Sequence, residues 1–196
     1  GGVQFNDAPS LEVIRTICET FARFGTTGLL VTLITDTREI TAAALAVGRA
    51  AAGEAVPGFL GLHLEGPHLD VRRKGAHDPA LIRPMDDADL DALAEAAGAL
   101  PALLSTVAPE AVTPQQVARL TGAGAVVSIG HTDAEYRSVA AAVEAGASMV
   151  THLFNAQSQL QGRAPGVVGA ALDLGAVHAG LIADGIHVDP VSIGIA

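Results

Sequence analysis

Short apolar runs, each about the length of one strand, alternate with Ala-rich stretches of helical period through nearly the whole 196-residue chain. The strand-like runs fall at 28–34, 59–64, 102–107, 125–129, 148–153 and 179–183. Helix-period segments lie at 38–52, 86–99, 114–123 and 133–145, and an amphipathic stretch carrying Leu11, Ile14, Ile17 and Phe21 precedes the first strand. A strand apolar on both faces must be covered on both faces, so the pattern predicts a parallel sheet sheathed by helices. Helix starts are marked at Thr35-Asp36-Thr37, at Thr113 before Pro114 and at Thr132-Asp133, and Gly122 and Gly146 read as residues just past helix ends. Both the doubly wound sheet and the barrel satisfy these constraints.

Polar residues choose between the two. The loops that follow strands hold Glu65, His77, Glu110, His131, Asn155, Asp184 and His187, whereas the loops that precede strands are plain Gly-Ala or Pro-Gly connections. Chemistry at the C-terminal ends of strands is common to both architectures. Three of these residues close apolar runs: Glu65 in Gly-Leu-His-Leu-Glu-Gly-Pro (61–67), His131 in Ser-Ile-Gly-His-Thr-Asp-Ala (128–134) and His152 in Val-Thr-His-Leu-Phe-Asn-Ala (150–156). One carboxylate and two imidazoles suit a divalent metal with a coordination position left for water, and they favour Zn²⁺ or Fe²⁺ over Mg²⁺. Convergence of three strand ends on one point favours a TIM-type (β/α)8 barrel. About six of its eight β/α units are visible, so residues 1–196 are expected to form one partial barrel domain, truncated at both ends.

Composition narrows the function. A formal net charge of −10 gives no face able to neutralise phosphates, which excludes a nucleic-acid binder; the one basic run, Arg72-Arg73-Lys74, reads as a solvated loop. Only 3% of residues are aromatic and none is Trp, so no stacking shelf is expected. Cys18 is single and lies on the apolar side of a helical stretch, which predicts a buried thiol. The apolar runs are too short to span a membrane and no signal peptide is legible, so the expected location is cytoplasmic with no membrane partner. Strand alternation puts His63 on the face of Glu65, one layer beneath it, as a hydrogen-bonded buried histidine. Arg163, in the Gly/Pro loop 162–166, is suited to a phosphate or carboxylate, and His77 to polarising a carbonyl. The Asp184-Gly185-Ile186-His187 loop reads equally as substrate contact or as an Asx turn.

With these motifs assembled in order, the chain resembles the N-acetylglucosamine-6-phosphate deacetylases of the amidohydrolase superfamily. The resemblance runs from Gly-Gly-Val-Gln-Phe-Asn-Asp (1–7) through residues 61–67, Arg-Lys-Gly-Ala-His (73–77), Val-Ala-Pro-Glu (107–110), 130–134, 151–156 and 162–166 to Ile-Ala-Asp-Gly-Ile-His-Val-Asp (182–189). It implies metal-assisted removal of the N-acetyl group from N-acetylglucosamine-6-phosphate, giving glucosamine-6-phosphate and acetate. Glu65, His131 and His152 match the family's metal ligands. Ala76, His77, Asn155, Ala156, Arg163, Asp184, Gly185, Ile186 and His187 match substrate contacts, with Arg163 at the phosphate and His77 near the acetyl carbonyl. The general acid/base implied is an aspartate on the last barrel strand, expected beyond Ala196. A homodimer is also implied, and whether one metal or two are bound is left open. Gln157 and Gln159 stand where many members have Met and Pro. Two other readings compete: an inactive metal- or sugar-phosphate-binding fragment, and another deacetylase of the superfamily.

Overall fold

The structure, a computed structural model, describes residues 2–196; Gly1, the first residue of the opening motif, lies outside them. Six strands form one sheet in which every pair is parallel. They are β1 (Leu29–Ile34), β2 (Phe59–Glu65), β3 (Leu103–Val107), β4 (Val126–Ile129), β5 (Met149–Val150) and β6 (His178–Ala179). Their spatial order is their sequence order. A doubly wound sheet reverses its strand order at a switch point, whereas consecutive staves of a barrel wall do not. The fold is therefore a run of six β/α units of a TIM-type barrel.

Strand β2 shows why the apolar runs behave as they do. Leu62 and Leu64 are fully buried on the helix side, where Leu62 lies against Gly48 of α2 (Arg38–Gly53) so closely that a Cβ at Gly48 would sit 2.6 Å from its Cδ1. His63 and Glu65 alternate onto the barrel interior. There His63 sits between Thr32 of β1 and Thr106 of β3, Nδ1 3.1 Å and Nε2 2.8 Å from their hydroxyls. Hydrogen bonds continue from Thr106 to Thr151 and from Thr151 to Ser128, each 2.7 Å. A polar layer thus lies beneath the strand ends, as expected for His63. Burial holds the His63 pKa down at about 4, so the ring is neutral within that layer.

The remaining helices are α1 (Leu11–Ala22), α3 (Asp87–Ala99), α4 (Pro114–Gly122), α5 (Tyr136–Glu144), α6 (Gly166–Asp173) and α7 (Pro190–Ile195). Cys18 is buried in α1, and burial raises its thiol pKa. Thr37 caps α2, and Thr113 caps α4 through a reciprocal capping box with Gln116. Four expectations need correction. Helix α5 starts at Tyr136, because Thr132 and Asp133 are committed to Glu110 and Arg73 and do not cap it. Helix α4 keeps Gly122 inside its last turn, and Gly124, at φ +98°, takes the left-handed position beyond it. β5 stops at Val150, where the chain turns through left-handed residues between His152 and Ala156, and β6 spans only His178–Ala179; both are shorter than their apolar runs. Helix α6 was not legible in the Gly-rich segment that forms it. No helix among the described residues is long and apolar enough to cross a membrane.

Candidate active site

Glu65 ends β2, His131 follows β4 and His152 follows β5, and the three meet at one point. Glu65 Oε1 is 2.8 Å from His131 Nε2 and 3.0 Å from His152 Nε2, and the two Nε2 atoms are 3.0 Å apart. The other nitrogen of each ring faces a backbone carbonyl: His131 Nδ1–H donates to Arg73 O at 2.8 Å, and His152 Nδ1–H to Asn155 O at 3.1 Å. A carbonyl can only accept, so each ring carries a proton on Nδ1, and a ring in its neutral form presents a bare Nε2 lone pair. Two lone pairs and a carboxylate oxygen then face one another with no proton between them. That arrangement is repulsive on its own and is satisfied by a cation, so the residues fit a divalent metal.

Electrostatics agree. Burial alone would raise the Glu65 carboxyl pKa, but contacts from His131, His152 and His77 outweigh it and hold the group well below the usual carboxylate range. Burial would lower His152, and the Glu65 carboxylate raises it instead. Without a cation, a proton shared with Glu65 can sit on only one of two Nε2 atoms 3.0 Å apart. Both histidines also sit in the left-handed backbone region, φ +47° for His131 and +36° for His152. A side chain held there costs on the order of 1 kcal/mol or more, a strain that collects at functional sites.

The loop after β2 closes one side of the cluster. Gly66 turns the chain at φ +85°, where a Cβ would meet the Thr35 hydroxyl at 2.2 Å. His77, buried, returns to the cluster with Nε2 3.9 Å from Glu65 Oε1 and its ring edge-on to His131 at 4.5 Å. The basic run between them is solvent-exposed, as expected, yet it is also held in place. Its single 3-10 turn, Val71–Arg73, is pinned by Arg72 to Asp70 and Glu110, and by Arg73 to Asp133 at 2.6 Å, which fixes the Arg73 carbonyl that His131 uses.

Other expected site residues are not gathered at the metal cluster. Arg163 lines a separate cavity of about 490 Å³ with Arg73, Arg137, Tyr136 and Ser158, and neither Arg137 nor Arg163 has a carboxylate partner among the described residues. Asp184 folds back as an Asx turn, accepting from the Ile186 and His187 amides at 2.9 Å and from His187 Nδ1–H at 2.7 Å, and this loop with Gly185 is exposed. Ala156 and Asn155 lie in the turn beside His152, where the Asn155 carbonyl orients the imidazole. Sequence reading took Thr35 only as part of a helix-start signal; it reaches His77 through the fold.

Fold and cluster together define a run of six β/α units of a (β/α)8 barrel, with a Glu-His-His cluster at the strand ends that could hold a metal. No family model matches the chain. Its relatives are specific all the same. It is 44% identical over 98% of its length to an N-acetylgalactosamine-6-phosphate deacetylase of Shewanella sp. (strain ANA-3), and 38% identical over 96% to the N-acetylglucosamine-6-phosphate deacetylase of Haemophilus influenzae. The chain spans about half the length of these curated relatives, 48% and 49%. The crystal structure of the Pasteurella multocida N-acetylglucosamine-6-phosphate deacetylase superposes on 98% of the chain with a TM-score of 0.93 at 39% identity, over 50% of that protein. The Thermotoga maritima enzyme superposes on 91% with a TM-score of 0.83, at 30% identity over 48% of its length. The resemblance read from the motifs therefore holds along the whole chain: by sequence and by fold it is related to the N-acetylglucosamine-6-phosphate deacetylases.

Proposed function

We propose that this chain carries the metal-binding and acetyl-recognising part of a hydrolase that removes the N-acetyl group from an amino-sugar 6-phosphate, N-acetylglucosamine-6-phosphate in the first instance. The observation that supports this most is the convergence of Glu65 Oε1 and two bare Nε2 atoms at strand ends, with His77 beside them. Glu65, His131 and His152 would hold the metal, Zn²⁺ or Fe²⁺. When bound, that ion supplies Lewis-acid polarisation and a water acidic enough to attack an amide near neutral pH. His77 orients the acetyl oxygen. Arg163 takes the phosphate, free of any ion pair among the described residues in a cavity that Asp133 and Glu135 also line, and Ala76, Asn155, Ala156 and the 184–187 loop contact the sugar. The resemblance implies that the general acid/base is an aspartate beyond Ala196; of the aspartates present, Asp133 is paired with Arg73 and Asp184 is held by its own turn. A cytoplasmic homodimer completes the proposal.

A second reading concerns the sugar. The 44% identical relative is named for N-acetylgalactosamine-6-phosphate, so the 4-epimer is a competing substrate of the same site. In the intact protein, Glu65→Gln and His152→Ala should each cut bound metal, measured by elemental analysis, together with acetate release. Wild-type metal content in those variants would refute the ligand assignment. The ratio of kcat/KM for the two epimeric 6-phosphates decides the sugar, and turnover of neither sinks the deacetylase reading.

A further inference from the structure

Three histidines meet at the cluster, and the backbone treats them in two opposite ways. His131 and His152 each place Nδ1 on a carbonyl oxygen, which leaves Nε2 bare for a cation. His77 places Nδ1 on a donor instead. The backbone N–H of Thr35 points at it from 3.2 Å, and the Thr35 hydroxyl lies 2.7 Å away. A hydroxyl can donate or accept, so by itself it decides nothing. An amide N–H can only donate, which makes Nδ1 the acceptor and puts the single proton of the neutral ring on Nε2.

We propose that Thr35 is a positioning residue whose backbone amide fixes His77 as the Nε2–H tautomer, turning it into a hydrogen-bond donor aimed into the cluster. The same ring with its proton on Nδ1 would offer a lone pair there, which repels an acetyl oxygen and competes for the metal as a further ligand. Thr35 is buried, and its hydroxyl also lies 3.4 Å from the carbonyl of Glu65, so one residue braces the ligand strand and the donor ring together. Gly66 leaves the space in which that hydroxyl sits. The catalytic consequence rests on the deacetylase reading; the tautomer itself does not.

The test is a long-range ¹H–¹⁵N spectrum of the intact, Zn²⁺-loaded protein with labelled histidine, in which the His77 signals are identified by their loss in His77→Gln. The expected pattern for His77 is a protonated Nε2 and an acceptor Nδ1, opposite to the Nδ1-protonated pattern of His131 and His152. Thr35→Val removes the hydroxyl but keeps the amide, so it should preserve the tautomer pattern. Thr35→Pro removes the amide and should lose the pattern, with kcat down about 10–100-fold and KM little changed, the scale of losing one proton-donating group. Should the Thr35→Pro chain fail to fold, the wild-type and Thr35→Val spectra still decide. A wild-type His77 protonated on Nδ1, or a tautomer that switches in Thr35→Val, overturns the proposal. An Nε2–H spectrum in a protein with no deacetylase activity would leave the tautomer standing and refute the function.

Discussion

Gln157 is a polar residue whose physical setting does not suit it. Its side chain is completely buried, and neither amide atom has a hydrogen-bond partner among the described residues. A buried carboxamide left unsatisfied costs about 1–3 kcal/mol, and Met, which the resemblance places at this position in many members, fills nearly the same volume without that cost. Gln157→Met should therefore stabilise the fold by about 1–2 kcal/mol and raise Tm by several degrees, as read by thermal unfolding. An unchanged or lowered Tm would show that an internal water satisfies the amide. The same scale governs the two ligand histidines, whose left-handed backbone is kept because the surrounding hydrogen bonds over-determine it.

At the scale of elements, the loop after β2 works as a clamp on the loop after β4. Arg73 grips Asp133 with its guanidinium and accepts His131 Nδ1–H with its carbonyl, so the ion pair sets the direction of a metal ligand. Exposed ion pairs contribute little stability by themselves, which separates two outcomes. Asp133→Ala should leave the fold and its Tm nearly unchanged while weakening metal binding by about 10-fold or more, measured by chelator competition, as loss of a ligand-orienting partner does. An unaltered metal affinity would reduce the clamp to a surface contact. This element also marks where sequence reading stops. Strands β1 to β4, the helix caps at Thr37 and Thr113, and the convergence of Glu65, His131 and His152 were legible because each depends on residues close in sequence: an apolar run, a cap or a polar strand end. Arg73 with Asp133 and Thr35 with His77 join residues 60 and 42 positions apart, and no local pattern encodes such a pairing. The end of β5 was missed for a related reason. Apolar composition continues past Val150, but the backbone leaves the sheet to aim His152.

The whole molecule is a wall with two open sides. β1 has no strand partner on its outer side among the described residues, and β6 pairs only with β5. Along β1 runs an apolar cavity of about 710 Å³ lined by Val3, Phe5, Phe21, Leu29 and Leu30. At the other end Ile186, Val191 and Ile195 are mostly exposed. Free strand edges with apolar flanks template pairing with another chain. The candidate metal ligands, by contrast, come from β2 and from the loops after β4 and β5, so β1 contributes none of them and the cluster does not depend on that edge being covered. Association and metal binding should therefore separate. The 196-residue chain on its own should appear in light scattering as species larger than its 19.7 kDa, growing with concentration, while binding metal with the stoichiometry of the intact protein. Leu30→Lys, which puts a charge on the edge strand, should cut that association without changing metal content, because an edge lysine blocks strand addition and is remote in sequence from every ligand. A chain that stays monomeric at every concentration would mean that the β1 edge is protected, and an association untouched by Leu30→Lys would move the interface to the exposed apolar residues beyond β6.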